Sequence, residues 1–424
     1  MKRLHYAWTV AAVTFLVLLV AAGIRSTPGV LLVPLEKEFG WSHASISTAV
    51  AINLVLYGLI GPFAAAVIDR FGVRRTLSAA LVILGVGVGL TTLMREHWQL
   101  VLLWGLVVGT GTGFTAMVLG ATLVNRWFAA RSGTVLGALS ASTASGQLVF
   151  LPALAALAAG YGWRSAAYLM AGLALLLTPL VAFLIRDFPR DVGLAPYGGS
   201  ERDAVEVTRT ASPVRAALDG LRDGLRSRPF WVLAGTFFIC GASTNGLIGT
   251  HLIPACADHG IAPVAAAGLL ASMGVFDLVG TTASGWLTDR WDSRKLLGWY
   301  YGLRGLSLFA LPAALSGPEP ARWTFAAFYG LDWVATVPPT ARLTADVFGK
   351  ERVGIMFGWI VAAHQLGAAT AAWGAGTVRT DVGTYHPAFV AAGALCLVAA
   401  AVFLGSGARQ PLQSRLAPAA VRAE

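Results

Sequence analysis

Five ionisable side chains fall inside long apolar stretches of this 424-residue chain: Arg25, Asp277, Arg304, Asp332 and His364. Taking a charge out of water is costly, so each is a candidate functional residue. The Arg25 guanidinium is always charged and offers a planar fork that fits a carboxylate, which makes it a candidate anion ligand; the alternative is a side chain reaching outward to lipid headgroups. His364 can pair with an anion when protonated and release it when neutral, or simply bond a neighbouring helix. Asp277 and Arg304 read either as a fixed ion pair or as a proton-linked switch, and Asp332 reads as the group that balances Arg25 in the empty protein. Asn53, Tyr57, Gln147, Asn245 and His251 are candidate hydrogen-bond partners for a bound solute, although polar residues also hold helices together.

The elements that must carry these residues follow from composition. Hydrophobic residues make up 56% of the chain and charged residues 12%, too few to clothe a water-facing surface. Apolar runs near the roughly 20 residues needed to cross lipid recur along the whole length. They predict twelve transmembrane helices at 8–33, 46–68, 77–94, 99–124, 134–159, 163–185, 230–256, 264–288, 296–315, 323–345, 353–376 and 386–404. None shows the alternating polarity of a lipid-facing barrel strand, so an all-α membrane protein is expected. The first span is read as retained rather than as a cleaved signal peptide. Counting about 1.5 Å per residue from the helix ends puts Asp277, Asp332 and His364 roughly 18–20 Å deep, Arg25 about 25 Å deep and Arg304 shallower.

The net charge of +10 reads as a topology signal. With the N-terminus inside, only Lys37, Arg95, Arg164, Arg322 and Arg379 fall on outer loops, so both termini are expected in the cytoplasm of a multi-pass inner (plasma) membrane protein. No clustered basic and aromatic surface suggests nucleic acid. Cys240, Cys256 and Cys396 form no CxxC and give no metal-ligand spacing with the seven histidines, so no metal and no cofactor is implied. The charged stretch 186–229 divides the chain into a six-helix half at 1–185, a cytoplasmic linker mobile in its middle, a second half at 230–408 and a tail at 409–424.

The halves repeat. A shift of 220 places Gly29 on Gly249, Pro34 on Pro254, Gly40 on Gly260, Asp69 on Asp289, Arg70 on Arg290, Arg74 on Arg294 and Arg75 on Lys295; it also places Arg25 on Asn245. Halves with an even number of helices enter the membrane in the same orientation, giving two parallel six-helix halves related by a pseudo-two-fold axis. The loops Ala65-Ala-Val-Ile-Asp69-Arg70-Phe-Gly72-Val-Arg74-Arg75 and Gly285-Trp-Leu-Thr-Asp289-Arg290-Trp-Asp-Ser-Arg294-Lys295 resemble the G-x-x-x-D-R-x-G-x-R-R signature of major facilitator transporters, with Ala65 in place of the first glycine. An Asp among several Arg at a helix end can make charge pairs that close this face in one conformation and open it in another.

Three further segments resemble the monocarboxylate transporter and oxalate:formate antiporter branch: Tyr6-Ala7-Trp8 without its acidic-Gly beginning, Arg126-Trp127-Phe128-Ala-Ala-Arg131-Ser-Gly133-Thr-Val-Leu-Gly137, and Arg186-Asp-Phe-Pro189-Arg-Asp-Val-Gly193-Leu-Ala-Pro196-Tyr197-Gly198. The resemblance implies that Arg25 takes the place of the branch's helix 1 Lys. It places Asp277 in an F-x-D-x-x-x-R pattern whose Arg is here Thr281, with Arg304 a candidate replacement. His364 stands near the Lys of an Ala-Lys-Gly setting. It therefore implies a monomeric carrier, embedded in lipid, of a small organic anion such as a monocarboxylate, driven by protons or anion exchange. A drug or metabolite efflux carrier of the same superfamily is the alternative, although the fifth span lacks the G-x-x-x-G-P-x-x-G-G run of proton-coupled drug antiporters. No pairing of nucleophile and base suggests an enzyme. The glycine-rich run from Gly105 to Gly113 lacks the Lys and Ser/Thr of a phosphate loop and reads as a helix-packing face.

Overall fold

The computed structural model of the protein describes residues 5–115, 117–200, 213–349 and 352–405; the side chains of Asp69 and Gln147, the middle of the linker and the tail expected at 409–424 lie outside the described residues. Among the described residues the chain is helical almost throughout, with one isolated bridge between Phe128 and Tyr197 and no strand.

The helices of the first half are α1 (Tyr6–Phe39), α2 (His43–Phe71), α3 (Val73–Thr91), a segmented α4 (His97–Leu100, Val101–Val108, Gly109–Phe114 and Met117–Trp127), α5 (Ser132–Tyr161) and α6 (Trp163–Leu184). The second half holds α7 (Arg228–Gly241, Ala242–Ile248 and Gly249–Asp258), α8 (Pro263–Thr288), α9 (Ser293–Ser316), α10 (Glu319–Asp332 and Val337–Phe348), α11 (Val353–Val382) and α12 (His386–Gly405). Among the described residues, eight of these helices, α1, α2, α3, α6, α7, α8, α11 and α12, are long and apolar enough by themselves to cross a membrane. Between the halves lies an amphipathic linker helix, Pro213–Leu225, which charge composition alone did not suggest.

Two helices depart from regular geometry where they meet the centre of the bundle. Val101–Val108 in α4 and Ala242–Ile248 in α7 are π-helical, a local widening that shifts the side-chain register. In α10 the break spans residues 333–336, one turn ahead of the paired prolines Pro338 and Pro339. Both prolines then occupy the first turn of the next segment, where a missing N–H costs nothing.

The 220-residue repeat is visible in space. Gly40 and Gly260 both adopt left-handed backbone, with φ of 68° and 71°, at the ends of α1 and α7. Gly29 and Gly249 meet across the interface: a Cβ on Gly29 would lie 3.1 Å from the Gly249 carbonyl oxygen. Close approach of α1 to α7 therefore depends on the absence of side chains there.

Glycine also sets the packing inside the second half. A Cβ added to Gly280 of α8 would run into the Leu331 carbonyl of α10, whereas one added to Gly268 of the same helix meets nothing within 4 Å. Gly280→Ala is expected to lower the detergent unfolding midpoint, by about 1–3 kcal/mol of overpacking. Gly268→Ala should leave the midpoint unchanged or raise it.

Candidate functional site

Arg25 stands where the two halves face each other. A cleft of about 590 Å³ is lined by Arg25 of α1, Asn53 of α2, Trp104 of α4, Asn245 and Thr250 of α7 and Trp333 of the α10 break. A second space of about 300 Å³ runs from Arg25 towards Tyr57, Thr112 and Thr115. The guanidinium carbon of Arg25 lies 4.9 Å from the centre of the Tyr57 ring, a cation–π contact, and no carboxylate among the described residues pairs with it.

The π-helical segments help to shape this cleft. Asn53 donates its side-chain amide to the Trp104 carbonyl at 2.9 Å, inside the widened turn of α4. Asn245 lies in the widened turn of α7, and its carbonyl accepts from the Thr250 hydroxyl at 3.0 Å. Gly109 brings α4 against α2, since a Cβ there would stand 2.9 Å from the Asn53 Cα. Four sequence candidates, Arg25, Asn53, Tyr57 and Asn245, thus gather around two spaces that meet at Arg25.

The other candidates lie elsewhere. His251 is fully buried, its ring bonded to the Ala372 carbonyl at 2.7 Å and to the Tyr385 hydroxyl at 3.2 Å, and it lines neither space. His364 of α11 packs with its ring centre 4.8 Å from that of Phe237, beside Cys240. Trp104, Thr112, Thr115, Thr250 and Trp333 line the two spaces without having been singled out. Their only sequence signal was the Gly-Thr-Gly-Thr-Gly-Phe-Thr run for the two α4 threonines.

The pairing of the buried charges differs from the depth count. Arg304, 1% exposed, pairs with Asp332 rather than with Asp277. Its Nε donates to the Asp332 carboxylate at 2.6 Å, one terminal nitrogen donates to the Asp332 and Trp333 carbonyls, and the other reaches the Cys240 sulfur at 2.9 Å. Asp332 accordingly does not balance Arg25. Asp277 instead accepts from the Thr281 hydroxyl at 2.8 Å and from the Val334 N–H at 3.0 Å, which ties α8 to the broken turn of α10. Thr281, standing at the family's Arg position, serves as a hydrogen-bond donor. The second carboxylate oxygen of Asp332 is buried with no hydrogen-bond partner.

At the basic end of the bundle the motif residues of the second half, Asp289, Arg290 and Lys295, are exposed. Arg290 lies over the Trp286 ring at 4.1 Å, and no ion pair involves Asp289 among the described residues. In the first half Arg74 donates its backbone N–H to Asp187 at 3.0 Å, and Arg70 lies over Phe71. The three branch-like segments converge at this end. Tyr6 bonds the Leu184 carbonyl, Trp127 bonds the Arg186 carbonyl, and Tyr197 packs against Trp8 and Phe128 while its N–H donates to the Trp127 carbonyl.

Comparison with known proteins agrees with this architecture. The family model described as Major Facilitator Superfamily matches residues 14–372 and 252–422. The chain belongs to the major facilitator superfamily. It is 24% identical over 375 residues to the MFS-type transporter YcxA of Bacillus subtilis, covering 87% of each chain. It is 26% identical over 402 residues to monocarboxylate transporter 13 of Bos taurus, covering 94% of this chain and 89% of that one. A bacterial homologue of the lysosomal transporter Spinster superposes with a TM-score of 0.76 at 15% identity, over 99% of this chain and all of the other. The xylose transporter XylE of E. coli gives 0.70 at 17% identity, over 95% and 98%. As a member of this superfamily the protein is a multi-pass membrane transporter for a small molecule, and not an enzyme.

The Arg304–Asp332 pair gives a direct test of the buried charges. Arg304→Met leaves a buried carboxylate without its cation and should cost about 3–5 kcal/mol in detergent unfolding. Combining it with Asp332→Leu removes both charges and should recover most of that loss. Equal stability of the single variant and the parent would show that the pair contributes nothing.

Proposed function

We propose that this superfamily member is a secondary active transporter of small organic anions, monocarboxylates or related carboxylates, with Arg25 as the group that binds the carboxylate. The observation that carries the reading is the free guanidinium: Arg25 faces the cleft between the halves with an aromatic ring as its neighbour and no acidic partner among the described residues. A fixed cation in a low-dielectric cleft favours an anion and disfavours a cation or neutral solute. Asn53, Tyr57 and Asn245 supply polar atoms around it, and Trp104 and Trp333 supply apolar walls suited to a short carbon chain. The likeness to monocarboxylate transporters over 94% of the chain supports the same substrate class.

Transport proceeds by alternating access, with halves at 1–185 and 230–408 rocking around the cleft and the linker 186–229 and both termini on the cytoplasmic side. The exposed Asp289 then belongs to the state in which the cytoplasmic face is released; its pairing with arginines belongs to the other state. Energy comes from a proton gradient or from exchange of anions. For the proton arm, Asp332 has a buried carboxylate oxygen with no hydrogen-bond partner, Asp277 bonds the Val334 N–H two residues beyond Asp332, and Arg304 reaches Cys240, beside which His364 packs. The carrier works as a monomer.

Uptake of a labelled carboxylate panel into proteoliposomes, with and without an inward proton gradient, tests the reading. Loss of a charge pair of about 2–5 kcal/mol predicts that Arg25→Ala abolishes carboxylate uptake while Arg25→Lys keeps part of it. If Arg25→Ala transports as well as the parent, or if no carboxylate moves, the anion assignment fails. Unchanged pH dependence in His364→Gln would remove that residue from coupling.

A further inference from the structure

At the end of the bundle opposite the basic loops, one chain of side chains joins the two halves. Glu36 of α1 lies 2.8 Å from His43 Nε2 of α2, and His43 Nδ1 lies 2.5 Å from the Tyr385 hydroxyl, in the turn between α11 and α12. The same hydroxyl lies 3.2 Å from His251 Nδ1 of α7, and His251 Nε2 lies 2.7 Å from the Ala372 carbonyl of α11. The His43 side chain is 3% exposed and Glu36 is 44% exposed, so the chain runs from water into the interior.

Its hydrogens can be counted. The Ala372 carbonyl only accepts, so His251 Nε2 carries a hydrogen, and a neutral His251 then presents a bare Nδ1 to Tyr385. An ionised Glu36 also only accepts, so His43 Nε2 carries a hydrogen, and a neutral His43 likewise presents a bare Nδ1. Two bare nitrogens thus face one hydroxyl that has one hydrogen, and one of the contacts is left unmade. A single added proton resolves this. With His43 doubly protonated, Nδ1–H donates to the Tyr385 oxygen and the Tyr385 O–H donates to His251. Placing the added proton on Glu36, which then donates to His43 Nε2, gives the same count. His251 is the poorer carrier, since its only bonds are to a hydroxyl and a carbonyl, whereas His43 sits against a carboxylate.

We propose that His43, together with Glu36 and Tyr385, is a proton-binding site whose occupied form closes this end of the transporter and whose empty form releases it. The assignment rests on alternating access and is independent of the anion reading. The surrounding charged groups are already engaged: Arg379 of α11 with Asp258 of α7 at 2.7 Å, His97 of α4 with the Ser45 carbonyl at 2.8 Å, and Glu38 of α1 with Arg164 of α6 at 2.6 Å. Lys37 points to the exterior. Neighbouring contacts between the halves carry no exchangeable charge, such as the Ala44 N–H to the Thr380 hydroxyl at 3.1 Å, so the proton-dependent part of the seal is this chain. The closed form binds one more proton than the open form, so lowering pH favours closure, by at most about tenfold in the closed-to-open ratio per pH unit.

Pulsed electron–electron distance measurements on the purified full chain test this without substrate. Spin labels at Arg95→Cys, before α4, and at Glu319→Cys, at the start of α10, occupy exposed positions in the two halves, while the three native cysteines are buried. Between about pH 8 and about pH 5, the range in which histidine exchanges protons, the short-distance population of the parent should grow at the expense of the long one. His43→Gln and Tyr385→Phe, each checked as monodisperse, should show the same distribution at both pH values. Should His43→Gln fail to fold, Tyr385→Phe keeps the ring and tests the same proton. A parent distribution that does not change with pH, or a change retained in full by the variants, overturns the proposal. Because no solute is present, such a result leaves the anion reading untouched, and absence of carboxylate uptake leaves this result untouched.

Discussion

Arg25 and Arg304 both lie within the helix bundle, and the difference in how they are satisfied organises the rest of the structure. Arg304 donates from all three nitrogens to groups of its own half: the Asp332 carboxylate, two carbonyls freed by the break in α10, and the Cys240 sulfur. Arg25 has the face of Tyr57 and a cleft. In lipid a polar group must find its partners inside the protein or in a water-filled space, so the first arrangement is a structural joint and the second leaves a cation facing an open cleft. A helix as irregular as α10 is tolerated because Arg304 takes up its Asp332 and Trp333 carbonyls while Asp277 takes up its Val334 N–H. The joint thus fixes Trp333 as a wall of the same cleft that holds Arg25.

Much of this was legible in the chain itself. Apolar run length gave the helices, and constant-offset punctuation gave the repeat, which returns in space as the Gly29–Gly249 contact and the matched left-handed turns at Gly40 and Gly260. Membrane polarity singled out Arg25, and the structure places it on the cleft. Partner choice was less legible. Counting the rise per residue gives a depth but no azimuth, and depth alone set Arg304 beside Asp277 when it faces Asp332 across α9 and α10. The π-helical turns in α4 and α7 add to the difficulty, because each shifts the register of everything beyond it and leaves no mark in composition. His251 shows the same limit: as an isolated membrane histidine it suggested solute contact, whereas its ring is committed to Ala372 and Tyr385.

Polar contacts sort into those within one half and those between halves, and the sorting indicates what can move. Arg304 with Asp332, Asp277 with Val334, Asn53 with Trp104 and Glu38 with Arg164 each stay inside one half. They bind helices to one another at several depths within each half. Contacts between halves are of another kind. Gly29 against Gly249 is backbone on backbone, Phe63 against Trp359 is ring on ring at 5.9 Å, and Ala44 to Thr380 is a single neutral hydrogen bond. Such contacts are individually weak and can be exchanged for water or for other packing.

The His43–Tyr385 contact is the exception, a bond between halves that joins titratable groups. It lies at the end opposite the basic loops, while Asp289 in the Asp-Arg motif of α8 at the far end stands exposed and without an ion pair among the described residues. On the proposed alternating access one end of the cleft opens as the other closes, which would make the His43 contact and the exposed motif two views of one conformation. On the proposal above, a proton bound at His43 would bias the basic end through the body of each half. Such a bias needs no pathway of side chains through the core, because contacts such as Arg304 with Asp332 hold the helices of a half together.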